Sequence, residues 1–274
     1  MASYTTTDLK TLREKTGAGM MDCKKALDEA EGDSVKAEEI LRVKGQKGVA
    51  KREGRTATNG LVAVDVQGGV GTMLEINCET DFVAKGEKFQ AVAATVLAQA
   101  VAISAADADT LLASEVEGKT VKVLLDEANA AIGEKIEVRR VARVEGASVA
   151  SYLHRTSPDL PPQVGVLIAT DGESPVGRDV AMHIAAMNPV YVSREAVPAE
   201  TIENERRLAD ETARNEGKPE AALPRIVEGR LQGFFKESVL VEQPFAKDTK
   251  KTVGAVLAES GVKPLAFVRY RVGA

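Results

Sequence analysis

Hydrophobic residues are spaced differently at the start of the chain and in the rest of it. From residue 5 to 45 they recur every three or four positions, and Gly17, Gly32 and Gly45 interrupt the pattern. Because a helix brings residues three and four apart onto one face, this pattern predicts three short helices that end at these glycines. A core of about forty residues is marginal alone, so we expect this N-terminal module, residues 1–45, to present a face to another surface.

From residue 60 the apolar spacing changes to every second position, which is typical of strands. Segments 61–66 and 72–78 flank a glycine-rich turn and predict a hairpin, and an amphipathic helix follows. A helix over 119–132 and a strand over 136–144 complete the unit. Alternation in that strand predicts one shared face for Ile136, Val138, Arg140, Ala142 and Val144.

The second half of the chain repeats this order of elements. Lys251–Val253 (KTV) stands 132 residues after Lys119–Val121 (KTV), and each triplet leads to a strand that carries arginines. Two copies are too few for a solenoid. They predict two α+β subdomains side by side, at 60–147 and 148–274, built from antiparallel sheets with helices. A basic linker with several glycines, residues 46–59, would join the N-terminal module to them.

Residues 198–236 of the second copy have no counterpart in the first. A polar helix over 199–215, a turn at Gly217 and a second helix to about Lys236 predict a helical hairpin. The pattern fits a protruding coiled-coil arm and equally an ordinary pair of surface helices. Pro224 falls inside the second helix, where proline kinks or shortens a helix.

Charge and composition narrow the classes of function. The chain carries 36 Lys and Arg against 41 Asp and Glu, a net charge of −5, and only 4% of its residues are aromatic. Dedicated nucleic-acid binders carry a basic excess and aromatic stacking surfaces, so this balance argues against direct nucleic-acid binding. The exception is a basic run over 42–55, which is either an RNA or phosphate patch or a solvated linker. Its basic residues are Arg42, Lys44, Lys47, Lys51, Arg52 and Arg55.

The sequence also predicts a location. No apolar stretch reaches the ~18 residues of a membrane span, and the first residues do not resemble a secretory signal, so we expect no membrane association. Two cysteines, Cys23 and Cys78, are too few for a disulfide framework and fit a reducing compartment. Together these features predict a cytoplasmic protein.

Motifs that carry chemistry are scarce. The two cysteines and the two histidines, His154 and His183, lie too far apart for a zinc site, and no Gly-x-Ser-x-Gly motif is present. Gly118–Thr120 (GKT) resembles the end of a nucleotide-binding loop, but Ala113 occupies the place of the first glycine and the loop between is acidic. We therefore expect no catalytic site, no cofactor and no metal.

The segment Thr80–Lys85 places a phenylalanine in an otherwise polar connection between a strand and a helix. In one interpretation Thr80 caps the helix, Asp81 complements its dipole and Phe82 packs at its entry. In the other, Phe82 and Asp81 form an exposed anchor that wedges into a partner.

Three further side chains allow two interpretations each. His183, on an apolar helix face, is either a packed core histidine or faces a partner. Met20 and Met21 are either core residues or an adaptable docking surface. The residues alone leave these alternatives open.

Taken together, the motifs resemble a known family. Leu12–Leu27 (LREKTGAGMMDCKKAL) is similar to the N-terminal signature of the bacterial translation elongation factor Ts family. Thr80–Ala84 (TDFVA) resembles its second signature, and 182–186 (MHIAA), 227–230 (VEGR) and 243–245 (QPF) are further matches. The resemblance spans nearly the whole chain in order, and its first motif is long and specific.

This resemblance implies both a fold and a function. It implies an α+β fold with a ubiquitin-associated-like three-helix module, a two-part core and a coiled-coil insertion. It also implies a guanine nucleotide exchange factor, not an enzyme, that binds elongation factor Tu, disturbs its Mg²⁺ and phosphate site and promotes GDP release. The residues implied in Mg²⁺ displacement are Thr80, Asp81, Phe82 and Val83, and the other implied contacts are Met20, Met21, Lys24, Ile132, Gly133 and His183.

The sequence departs from the family pattern in two places. After the Thr-Asp-Phe motif, Lys85–Lys88 lacks the Asn or Asp that many members carry, and longer members continue beyond the position of Ala274 with a further helical module. The resemblance leaves a homodimer, a 1:1 complex and a 2:2 complex with elongation factor Tu open. Other classes also stay open: an RNA-binding translation protein that uses 42–55, an enzyme that uses Gly118–Thr120, and a scaffold that needs no wedge.

Overall fold

The structure, a computed structural model, describes residues 4–274, apart from the side chains of residues 46, 47 and 50. Its helices are α1 (Thr6–Thr16), α2 (Met20–Glu29), α3 (Ser34–Arg52), α4 (Asp81–Lys85), α5 (Glu87–Ala102), α6 (Ala108–Ala113), α7 (Val121–Ile132), α8 (Gly177–Met187), α9 (Ala199–Asn215), α10 (Leu223–Ser238) and α11 (Val253–Glu259). Its strands are β1 (Asn59–Gln67), β2 (Val70–Cys78), β3 (Glu115–Val116), β4 (Lys119–Thr120), β5 (Ile136–Glu145), β6 (Ser148–His154), β7 (Val164–Thr170), β8 (Pro244–Phe245), β9 (Asp248–Thr252) and β10 (Pro264–Arg271).

The N-terminal module contains the three predicted helices around a small core. Thr5 caps α1 in a complete capping box with Asp8, and Gly17 follows α1 in a left-handed conformation with φ 67°. The buried core residues are Leu12, Cys23, Ala26, Leu27, Ala30, Ala37 and Leu41. A core of this size needs support, which comes from the packing of α3 along α7.

The predicted end of the third helix at Gly45 is wrong. Helix α3 continues to Arg52, so residues 46–52 belong to a helix and not to a linker. A Cβ atom at Gly45 would lie 3.0 Å from the Cβ of Ala130, so the glycine lets α3 and α7 approach closely. This packing outweighs the low helix propensity of glycine. The side chain of Lys47, part of the predicted basic run, lies outside those that the structure describes.

The first subdomain is a three-stranded antiparallel sheet in the order β1-β2-β5, with α5 and α7 on one face. The predicted hairpin is confirmed as β1 paired with β2, from Asn59 opposite Cys78 to Gln67 opposite Val70. The largest buried side chains between sheet and helices include Leu74, Ile76, Phe89, Leu111 and Leu125.

The prediction of a single face along β5 is wrong beyond Val138. The register against β2 shifts at Arg139, which is an extra residue in the pairing. Such a β-bulge inverts the alternation of side chains along a strand. The side chains facing the helices are Ile136, Val138 and Val141, and those facing the second subdomain are Ala142 and Val144.

The second subdomain repeats the arrangement with the sheet β10-β7-β6, which α8 and α11 cover. The predicted repeat extends to fine detail: Thr120 caps α7 and Thr252 caps α11, each through its hydroxyl. The lysine before each cap forms an ion pair in the helix that follows, Lys119 with Glu127 and Lys251 with Glu259. The predicted α+β fold class is thus confirmed.

The two sheets pack face to face. The buried residues between them are Val62, Met73, Val144, Val149, Leu167, Ala169 and Tyr270. A Cβ atom at Gly165 in β7 would lie only 2.4 Å from Cγ1 of Val62 in β1. One at Gly71 in β2 would lie 2.8 Å from Cγ1 of Val149 in β6. The absence of side chains at both glycines is therefore what allows the sheets to meet.

The insertion is the predicted helical hairpin, formed by α9 packed against α10. Its base rests on Val197, Leu231, Phe235 and Val239, whereas its outer surface carries ion pairs between charged side chains. The expected kink at Pro224 is wrong. Pro224 lies in the first turn of α10, where a helix makes no use of the missing N–H group.

We expect Gly165→Ala to lower the free energy of unfolding by about 1–3 kcal/mol, because the new methyl group would overlap Val62 across the sheets. The matched control is Gly233→Ala within α10, where nothing lies near the added Cβ atom. It should raise the free energy of unfolding by about 0.5–1 kcal/mol, as expected for glycine replaced within a helix. Urea unfolding measures both, and equal stability of the two variants would contradict the close approach of the sheets.

Candidate functional site

The segment Thr80–Lys85 forms a one-turn helix, α4, at the surface of the first subdomain. The hydroxyl of Thr80 accepts a hydrogen bond from the Val83 amide at 3.3 Å, which confirms that Thr80 caps this helix. Asp81 lies in the first turn and forms an ion pair with Lys85 at 3.1 Å. Phe82, however, is 83% exposed, so the interpretation in which it packs at the helix entry is wrong.

The turn that carries Phe82 is anchored from below. Ala84 is buried and Val83 packs against the core of the first subdomain. Cys78, at the end of β2, donates a hydrogen bond from its Sγ to the carbonyl oxygen of Thr80 at 3.2 Å. Burial and the negative charge of nearby Glu134 raise the pKa of the Cys78 thiol to about 12, so it stays neutral. An exposed aromatic side chain on a fixed base is well arranged for insertion into a partner.

Glu134, which lies just after α7, fixes the start of α4 through hydrogen bonds. Its carboxylate accepts hydrogen bonds from the Thr80 amide at 3.0 Å and from the Thr80 hydroxyl at 2.6 Å. Glu134 follows Gly133, which caps the C-terminus of α7 in a left-handed conformation with φ 88°. The predicted contact residues Ile132, which is half-buried, and Gly133, which is exposed, therefore lie beside the Thr80 turn.

The same end of α7 supports the N-terminal module. A Cβ atom at Gly17 would lie 3.1 Å from the Cβ of Ala131, so the loop before α2 lies against α7. Met20, Met21 and Lys24 follow this loop on α2 and are all exposed, which favours a docking surface over a core position for the methionines. The structure thus brings three predicted groups to one end of α7: Met20–Lys24, Thr80–Val83 and Ile132–Gly133.

His183 lies inside the second subdomain, on α8, and is 1% exposed. Its Nδ1 accepts a hydrogen bond from the Ala246 amide at 3.1 Å, so Nε2 carries the proton and donates to Oε1 of Gln243 at 2.8 Å. Burial lowers the pKa of this imidazole. The expectation that His183 contacts a partner is therefore corrected: it is a packed core histidine with no surface to offer.

Comparisons with known proteins show the family. A family model described as elongation factor TS matches residues 79–274, which include α4, the helices and β5 of the first subdomain, the second subdomain and the hairpin of α9 and α10. The chain belongs to the elongation factor Ts family. It is 62% identical to the elongation factor Ts of Kineococcus radiotolerans and 62% identical to that of Micrococcus luteus, in each case over 100% of both chains. It is 61% identical to that of Paenarthrobacter aurescens over 100% of both chains.

In this member of the elongation factor Ts family the basic run 42–55 is tied into the fold. Lys44 pairs with Asp22 at 3.3 Å, and Arg55 pairs with Glu79 at 3.2 Å. These ion pairs connect α3 to α2 and the chain after α3 to the end of β2. The interpretation of the run as a linker is wrong up to Arg52, because α3 continues to that residue, while the paired Lys44 and Arg55 stay exposed to solvent.

The remaining chemical alternatives fit the structure poorly. Gly118 lies in the turn between β3 and β4, and Thr120 is the cap of α7, so 118–120 does not form a phosphate-binding loop. Among the residues described, no group of three or more His, Cys, Asp or Glu side chains is placed to hold a metal ion. Over residues 4–274, no helix combines the length and the apolar character that a membrane crossing requires.

Glu134 is the site residue that the sequence analysis missed. A signal was present, because the third helical position after the cap Thr80 is Val83, which cannot accept a hydrogen bond from the cap amide. The acceptor must then come from elsewhere in the chain. Sequence spacing does not indicate that it lies 54 residues away.

We expect the buried ring of His183 to make stability depend on pH. Because its folded-state pKa lies below the unfolded value of ~6.5, the unfolded state takes up the proton first as the pH falls. The stabilising contribution is present above pH ~6.5 and is lost as the pH falls below that value. His183→Gln should therefore flatten the difference in unfolding free energy between pH 7.5 and pH 5.5, measured by urea unfolding.

The control for this prediction is Ile184→Val, a core substitution on the same helix that removes no titratable group and should lower the unfolding free energy equally at both pH values. The same pH dependence in His183→Gln and in the unmodified chain would contradict the buried, neutral state of His183.

Proposed function

We propose that the chain is a guanine nucleotide exchange factor for the translation GTPase elongation factor Tu, and that Phe82 and Asp81 loosen its bound GDP. The observation that carries this proposal is an aromatic side chain, 83% exposed, next to a carboxylate on an anchored turn. Family membership supports the choice of partner. Such a protein changes the affinity of a GTPase for its nucleotide and breaks no bond itself.

Phe82 acts as an apolar wedge in this mechanism. Burial of a phenylalanine side chain in a partner gains about 1.5–3 kcal/mol. Because Ala84 and the Thr80 cap already fix the turn, little further conformational freedom is lost on insertion. The free energy gained is therefore available to separate elements of the partner near its nucleotide.

Asp81 acts on the partner's Mg²⁺ site. Its ion pair with Lys85 is exposed, and exposed pairs contribute at most ~1 kcal/mol, so Asp81 can exchange this pair for a group of the partner. Mg²⁺ neutralises the charge of the phosphates in such GTPases. Displacement of the elements that hold Mg²⁺ leaves the diphosphate uncompensated and weakens its binding.

The N-terminal module supplies a second contact, on the base side of the nucleotide. Met20 and Met21 are flexible, polarisable side chains that adapt to irregular surfaces, and Lys24 lies on the same exposed helix. Ile132 and Gly133, at the end of α7 just before Glu134, supply a further contact beside the Thr80 turn. The arm of α9 and α10 touches the partner separately.

The proposed function implies a location and a partner for the protein. We place it in the cytoplasm, with elongation factor Tu as its partner and without direct contact to nucleic acid. Complexes of 1:1 and 2:2 composition and a homodimer of this chain all agree with the mechanism. By linkage, the factor by which the bound chain weakens GDP equals the factor by which GDP weakens binding of the chain.

Phe82→Ala should slow GDP release from elongation factor Tu roughly tenfold or more, because the lost burial of about 1.5 kcal/mol or more corresponds to that factor. Asp81→Ala should slow it as well. The measurement is the release of a fluorescent GDP analogue from a bacterial elongation factor Tu, with excess unlabelled GDP and catalytic amounts of each variant.

The control is Leu265→Ala, which removes a side chain that is 52% exposed on β10 of the second subdomain and is not among the predicted contacts. It should release GDP at the rate of the unmodified chain. Release by Phe82→Ala at that same rate would overturn the wedge assignment. Failure of the unmodified chain to accelerate release would overturn the proposed function.

A further inference from the structure

We propose that Glu134 is a positioning residue for the wedge: its carboxylate fixes the Thr80 turn and thereby the direction in which Phe82 leaves the surface. This inference rests on the proposed function, because the direction of Phe82 matters only if Phe82 inserts into a partner. It concerns a residue outside the two signature motifs.

Several hydrogen bonds converge on Thr80. Its amide donates to one carboxylate oxygen of Glu134 at 3.0 Å and its hydroxyl donates to the other at 2.6 Å. The hydroxyl also accepts the Val83 amide at 3.3 Å. Its carbonyl oxygen accepts hydrogen bonds from the Ala84 amide and the Cys78 thiol. Every polar group of Thr80 therefore has a partner, and Glu134 accounts for both of its donors.

Helix α1 of the same chain shows the local form of this cap, in which the carboxylate belongs to the capped helix. There the amide and the hydroxyl of Thr5 both donate to Asp8 at 2.7 Å, and Asp8 is the third residue of the helix that Thr5 caps. This is a local capping box. In α4 the third residue is Val83, which offers no acceptor. Glu134 supplies the missing half of the box from the far end of α7.

A carboxylate is well suited to this role because it accepts hydrogen bonds and donates none. The only hydroxyl hydrogen of Thr80 must then point to Glu134, which leaves a lone pair of the oxygen for the Val83 amide. A glutamine at 134 could accept only through its carbonyl oxygen, and its NH₂ group would face a donor. The charge of Glu134 therefore sets the direction of the whole cap.

Glu134 is also held in place by the elements next to it. It directly follows the left-handed Gly133, and α7 is held in the core by Val121 and Leu125. Among the residues described, Glu134 forms no ion pair with a lysine or arginine, so the hydrogen bonds of its carboxylate go to Thr80. A helix of one turn is unstable by itself, so the direction of Phe82 depends on this external cap.

The test compares Glu134→Gln with the control Glu127→Gln, which alters a carboxylate within α7 that pairs with Lys119. The first readout is hydrogen exchange of the Val83 amide, followed by NMR in the free chain. We expect it to accelerate about tenfold in Glu134→Gln, as for a lost hydrogen bond to a charged group, and to stay unchanged in Glu127→Gln.

The second readout is GDP release from elongation factor Tu over a range of concentrations of the chain. The maximal rate should fall several-fold in Glu134→Gln, while the half-saturating concentration changes less than about twofold, because the other docking contacts remain. Thr80→Val should have the same effect, and the double variant should be no slower than either single variant, as expected for two residues that act as one unit.

The outcomes separate this inference from the proposed function. If the unmodified chain releases GDP and Glu134→Gln releases it at the same maximal rate, the positioning role is wrong. Additive effects of Thr80→Val and Glu134→Gln, with unchanged Val83 exchange, would overturn it too, because Glu134 would then contact the partner directly. If the unmodified chain does not release GDP, the proposed function is wrong, and faster Val83 exchange in Glu134→Gln would still establish the cap.

Discussion

The candidate site depends on the packing of one helix end, the C-terminus of α7. Ala130 and Ala131 receive α3 and the loop before α2 at positions where Gly45 and Gly17 leave room for the contact. Three residues further on, Glu134 holds the cap of α4. Helix α7 is itself fixed in the core of the first subdomain. The N-terminal module and the turn that carries Phe82 are therefore both supported by the same end of this helix.

A common support at the end of α7 suits the proposed action on two sides of one bound nucleotide. If a flexible linker joined the module to the wedge, each contact would carry its own ordering cost on binding. Helix α3 runs through the predicted linker to Arg52, and the ion pair of Arg55 with Glu79 ties the chain that follows to β2. Part of that ordering is therefore completed when the chain folds, and in the proposed mechanism this leaves more of the binding free energy for displacing GDP.

Much of the fold follows from local patterns that the sequence displays directly. The change of apolar period at residue 60 and the repeated triplet predicted the main strands and helices of both subdomains, and the structure confirms them. The errors arise where one residue type serves two purposes. Glycine often ends a helix, but Gly45 instead lies inside α3 and lets it contact Ala130 of α7. The bulge at Arg139 depends on the pairing of β5 with β2. Burial of His183 depends on residues about sixty positions later, which no local period reveals.

In the proposed mechanism, Phe82 enters elongation factor Tu while the nucleotide is displaced. Photo-crosslinking tests this directly in the nucleotide-free complex. A benzophenone amino acid is placed at position 82 and, separately, at position 265, where the leucine is also exposed. We expect an efficient crosslink to the GTPase from position 82, and loss of that crosslink when excess GDP separates the complex. A stable complex with no crosslink from position 82 would contradict it.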